Sequence, residues 1–236
     1  MRRLPCFPLT AIVIALAFCP IAAAGVCGEP HPQVCAEFFH SDAVFAGTVN
    51  SVRDWPTGDS GVGGWLYRLK VTKTYRGPVR TFIEVFTGND SGRLHLENGH
   101  SYLLFACKQE GLLTIDNCGN STELSEAADL IHQLETVLAD IKSASGGDIR
   151  GRIILATYAM PVRFVVTATS GDKSYTGTTD EDGWFHIHVP PGEYAVLPEA
   201  PQWTITAYDL SYDDPAHVVI QHGSCAEVQF TASRQK

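Results

Sequence analysis

Short apolar or alternating runs, broken at close spacing by turn residues, fill this chain from Ala43 to Thr231, and that pattern suits antiparallel sheets. Five such runs come first: Ala43 to Val52, Trp65 to Tyr75, Phe82 to Thr87, Tyr102 to Cys107 and Leu112 to Cys118. Five strands of this size can close into a small barrel. A small-residue linker, Ser143 to Gly147, precedes the rest. Beyond it lie Ile149 to Ala156, Val162 to Thr169, Ser174 to Thr179, Trp184 to Val189, Tyr194 to Leu197, Thr204 to Tyr208, Val218 to Gln221 and Ala226 to Thr231. Seven or eight short strands in about ninety residues predict a β-sandwich.

Asn120 to Lys142 changes the period. Leu124, Ala127, Ile131, Leu134, Leu138 and Ile141 recur every three or four residues and form one apolar stripe on a helix. Asn120 is the expected cap, with Glu123 three residues on and Glu126 and Asp129 near the positive end of the dipole. The stripe spans fewer than three heptads, so packing on its own barrel is favoured over a coiled-coil partner. The expected class is mainly β: a five-stranded barrel closed by a packing helix (residues 25–142), the linker 143–147, and a seven- to eight-stranded sandwich (148–236).

A chain of 236 residues that is 44% hydrophobic can bury a sizeable core. Its 17 Lys and Arg face 26 Asp and Glu, and such a surface repels nucleic acid and anionic membrane in general. The amino terminus has the form of a signal peptide, residues 1–24: Met1-Arg2-Arg3, an apolar core from Leu9 to Phe18, and Ala22-Ala23-Ala24 for cleavage. About ten apolar residues fall short of the roughly twenty that span a bilayer, so no transmembrane segment is expected. The expected location is secreted, periplasmic or extracellular. A lipid anchor at Cys19 is the competing reading, which the bulky Phe18 beside it disfavours.

Cys6 and Cys19 fall in the leader, which leaves Cys27, Cys35, Cys107, Cys118 and Cys225. In an oxidising compartment four grouped cysteines read as a disulfide framework and not a metal site. Cys225 is the odd one, read as a small buried hydrophobe in a strand, with an intermolecular bridge as the alternative.

No Gly-x-Ser-x-Gly, Gly-rich phosphate loop with Lys, or His-Glu-x-x-His occurs, so the chain reads as a non-enzyme without a cofactor. His186-Ile187-His188 puts two imidazoles on one strand face, opposite Phe185, Ile187 and Val189, but no third ligand is evident and no metal is expected. Thr179-Asp180-Glu181-Asp182-Gly183 reads as a turn and not a calcium loop, because it lacks the spacing of an EF-hand. Pro190-Pro191-Gly192 is a second turn. Trp184 and Trp203, with Tyr208 and Tyr212, offer either a platform for sugar rings or ordinary packing.

Cys27-Gly-Glu-Pro-His-Pro-Gln-Val-Cys35, then Ser41-Asp-Ala-Val-Phe-Ala-Gly47, resembles the opening of the tissue inhibitors of metalloproteinases. Tyr67 to Gly77, Gly99 to Ala106 and Gly111 to Cys118 continue the likeness in order, over roughly Gly25 to Lys142. The resemblance implies an OB-type barrel, disulfides Cys27–Cys107 and Cys35–Cys118, and an inhibitory edge at Gly25, Val26, Cys27 and Gly28 directed at a zinc metalloprotease. In the animal inhibitors a Cys-x-Cys begins the mature chain and the first cysteine chelates the protease zinc. Here Gly25 stands in that place, and the cysteine that would clamp it, with its partner, is absent. Gly151-Arg-Ile-Ile, Thr178 to Phe185 and Pro190-Pro-Gly-Glu-Tyr194 resemble the carboxypeptidase regulatory-like, transthyretin-like sandwich, which implies a stability or interaction module. The expected function is that of a secreted binding protein with a protein partner. An extracellular carbohydrate-binding or cell-envelope module is the alternative.

Overall fold

The computed structural model describes residues 32–56, 63–89, 94–116, 118–155, 162–208 and 213–234. The leader with Cys19, the edge from Gly25 to Gly28 with Cys27, and Tyr212 lie outside the described residues. Within them the molecule is mainly β.

The first unit contains α1 (Val34–His40), β1 (Ala43–Trp55), β2 (Gly64–Arg76), β3 (Phe82–Gly88), β4 (Ser101–Gln109), β5 (Leu112–Ile115), β6 (Thr122–Glu123) and α2 (Ala128–Ser143). Its sheet runs β1-β2-β3-β5-β4 and returns through a β1–β4 pairing, so it forms a ring, with β6 added on β4. Every contact is antiparallel except β3 against β5. Phe45, Tyr67, Leu69, Val85 and Leu104 fill the inside. The neighbouring residues Val44, Leu103 and Phe105 point outward and are buried too, under Phe38 of α1 and Leu134 and Val137 of α2. That is why Ala43 to Ala46 and Tyr102 to Ala106 are apolar without alternation: these strands are covered on both faces. In β2, by contrast, buried Tyr67 and Leu69 alternate with exposed Arg68 and Lys70, the pattern of a strand with one wet face.

The helix is shorter than its stripe suggests. It begins at Ala128 and not Asn120, and its N-cap is Ala127, without a side-chain bond. Thr122 and Glu123 pair with β4 instead, and the Asn120 amide donates to Pro32 O (2.7 Å) and Glu37 Oε2 (2.6 Å). Leu134 is fully buried, whereas Ile141 at the end of the stripe is 37% exposed. The short helix α1 precedes the first of the expected strands.

The second unit contains β7 (Gly147–Leu155), β8 (Val165–Ser170), β9 (Lys173–Thr178), β10 (Trp184–Val189), β11 (Gly192–Glu199), β12 (Trp203–Ala207), β13 (Val218–Ile220) and β14 (Cys225–Arg234). Two four-stranded sheets, β10-β7-β14-β12 and β13-β11-β8-β9, share a core of Ile149, Val166, Phe185, Val196, Val228 and Phe230. The arrangement is sandwich-like, and all eight expected runs are strands. The Thr179 to Gly183 segment is a turn: Asp180 Oδ1 accepts from the N–H groups of Asp182 (3.0 Å) and Trp184 (2.8 Å), and Gly183 takes φ +84°.

The implied disulfides are corrected. Cys35 pairs with Cys225, not with Cys118, across a Cα–Cα distance of 5.9 Å, and Cys107 is a free thiol. Cys118 is itself disulfide-bonded. Cys35 sits in the first turn of α1, which packs against β14 and so meets Cys225; the Cys107 sulfur lies 3.6 Å from His40 O, at the other end of that helix. Cys225 is therefore neither a lone buried hydrophobe nor the source of an intermolecular bridge. Burial, helped by the nearby Asp42 carboxylate, pushes the Cys107 thiol above its ordinary pKa. Among the described residues no helix is long and apolar enough to cross a membrane.

Candidate functional site

The densest polar chemistry lies where the two units meet. Outward positions of β14 pack under α1, so two side chains that alternation would leave wet are enclosed: Glu227 is fully buried and Gln229 nearly so. A buried carboxylate is costly unless its oxygens find donors. Glu227 finds one on each oxygen. Its Oε2 accepts from the N–H of Gln33, at the N-cap of α1, at 2.6 Å, and its Oε1 accepts from Gln229 Nε2 at 2.9 Å. Asp213 Oδ2 in turn accepts from the Glu227 N–H at 2.8 Å. Burial pushes the Asp213 carboxyl up, with that N–H and His40 opposing it.

Beside this network, register sets β7 against β10 so that His188 faces Asp148 and His186 faces Arg150. One oxygen of Asp148, Oδ1, lies 2.8 Å from His188 Nδ1 and 2.9 Å from His186 Nε2. A carboxylate only accepts, so each of those nitrogens carries its proton. Asp148 Oδ2 takes a third bond from Arg150 Nη2 at 3.2 Å, and Arg150 Nη1 reaches Gln33 Oε1 of the first unit at 3.2 Å. The guanidinium thus links the histidine cluster to the start of α1. Burial alone would push the Asp148 carboxyl up; the bonds from His188, His186 and Arg150 outweigh it and hold the group below the usual carboxylate range.

This cluster rims a cleft of about 840 Å³ between the units, lined by Gln33, Asn120, Gln133, Asp140, Asp148 and Arg150 among others. Amides, carboxylates and one guanidinium suit a polar ligand more than a lipid. Among the described residues, no group of three or more His, Cys, Asp or Glu side chains is disposed to hold a metal ion.

The expected site residues fall in different places. His186 and His188 face outward, opposite buried Phe185, Ile187 and Val189, as their alternation implies. Trp184 and Trp203 do not share a platform. They stand on β10 and β12, the opposite edges of one sheet; Arg152 lies over the Trp184 ring at 5.3 Å, and Trp203 packs edge-on against Phe164 in the core. Asp148 and Glu227 escaped notice in the sequence because only strand register brings them to the seam.

No protein-family model matches the chain, and no curated protein matches it. Among solved structures it is similar to one described as the crystal structure of the p204 HINb domain, at 10% identity over 82% of this chain and 99% of that chain, with a TM-score of 0.25. A likeness of that size carries no argument about fold or function.

Proposed function

We infer that the chain is a secreted, non-enzymatic binding protein in which a metalloprotease-inhibitor-like module is joined to a β-sandwich interaction domain. The observation that carries this reading is the ring order β1-β2-β3-β5-β4-β1 with helices packed on one side. It supports the OB-type barrel that the resemblance of residues 25–142 implies.

The test is inhibition of a panel of zinc metalloproteases by protein beginning at Gly25 and by the same protein with one alanine added in front. The expected result is inhibition by the first and loss of it by the second, because the added residue displaces the free α-amino group. No inhibition across the panel refutes the reading.

A further inference from the structure

The ring has two unlike outer sides. Helices cover the side made by β1 and β4, whereas the outer positions of β2 and β3, Arg68, Lys70, Thr72, Phe82 and Glu84, are exposed. Register sets Arg68 between Ser51 and Glu84, and Lys70 between Thr48 and Phe82. The Arg68 guanidinium lies over the Phe82 ring at 4.3 Å. Arg53, 61% exposed, reaches this face 3.9 Å from Glu84, and exposed Arg80 stands two residues before Phe82 in the approach to β3. Arg53, Arg68 and Lys70 thus share this outer face with one carboxylate, Glu84, and Arg80 stands at its approach, in a chain whose net charge is −9. Arg68, Lys70 and Arg80 make no ion pair among the described residues.

We propose that this face binds a linear acidic polysaccharide, a chain carrying sulfate or carboxylate groups at regular intervals. Residues two apart on a strand are about 6.7 Å apart and neighbouring strands about 4.8 Å apart, so Arg68, Lys70 and Arg53 present charge as a fixed grid. A guanidinium lying on an aromatic ring keeps its planar fork oriented for the paired oxygens of a carboxylate or sulfate. Nucleic acid fits less well. Single strands need open aromatic faces for base stacking, and here Phe82 is already covered by Arg68 while Tyr67 is buried inside the ring. The Cys35–Cys225 bridge also points to an oxidising setting. The argument stands on residues other than Gly25 to Gly28, so protease inhibition and polysaccharide binding succeed or fail separately.

The experiment is affinity chromatography and calorimetry of the whole protein with heparin, with alginate, and with single-stranded DNA of equal charge. Despite its net charge, the protein should be retained on heparin at about 50 mM salt and released as salt rises. The double variant Arg68→Gln/Lys70→Gln should bind about tenfold more weakly. Arg163→Gln/Lys173→Gln removes the same charge from the sandwich and should stay within about twofold of the parent, with both variants keeping the parental melting temperature. No binding to either polysaccharide overturns the proposal. Equal losses in the two variants overturn it too, since bulk charge would then explain the binding, as does tighter binding of DNA through Arg68 and Lys70.

Discussion

The two β units face the same hazard, the unpaired strand edge, and treat it differently. The first removes most of the problem by returning β4 to β1, so its central strands have neighbours on both sides. The second keeps four edges, at β9, β10, β12 and β13, and limits them by shortness: β13 has three residues and β12 five. What the open arrangement gains is a side-chain face on β7, β10 and β14 that the other unit can cover. The ring is sealed on itself; the sandwich is completed by contact with α1 and by the bond to Cys35.

The severest way to break that contrast is Gly151→Val. A Cβ there would run into the Val228 carbonyl oxygen and the Phe185 ring, in the middle of the β7–β14 pairing. A loss above about 5 kcal/mol is expected, with amide exchange in the sandwich becoming fast while β1 and β4 stay protected. If the ring loses protection to the same extent, the two units are one cooperative body and the contrast fails.

Replacing Cys35 and Cys225 together by Ser comes next. A bridge spanning 190 residues contributes about 5 kcal/mol in the chain-entropy picture. Urea unfolding of the double variant should show that drop and separate into two transitions, the earlier one from the sandwich. Leu134→Ala sharpens the comparison from the other side. It empties a fully buried position between α2 and the ring, for about 3 kcal/mol, and should lower protection in β1 and β4 without touching β8 or β11.

Asp148→Asn should have the smallest effect, within about 1 kcal/mol at neutral pH, because the cluster is partly open to water. Its signature is pH dependence. A carboxyl held below its ordinary range in the folded state adds stability above about pH 4, and that stability is lost as pH falls further. The variant should flatten the acid limb of a melting-temperature profile. Asp213 acts in the opposite sense: its raised pKa means that the fold gains from its protonation, so Asp213→Asn should be tolerated best at higher pH.

The sandwich strands were legible because each combines a two-residue period with a turn signal, as in Trp184 to Val189 with its outward histidines. The helix start was not, since Leu124 and Ala127 sit at helical spacing yet belong to the approach, where Ala127 is buried by packing. Helix α1, with seven residues, is too short to display a period. The disulfide pairing was hidden for another reason: it joins the two units, and nothing local in the sequence reports how they dock. Alternation concealed the basic face as well. Arg68 and Lys70 are separated along the chain by apolar Leu69, so no run of like charge appears until the strand forms.

The Cys35–Cys225 bridge also orders the molecule in time. Residue 225 is made 190 residues after residue 35, and at about 5 to 20 residues per second the Cys35 thiol waits roughly 10 to 40 s for its partner. Cys107 and Cys118 emerge during that interval, and in the fold Cys107 lies at the far end of α1 from Cys35. Helix α1, the first of the described helices, is therefore tied down only once β14 has been made.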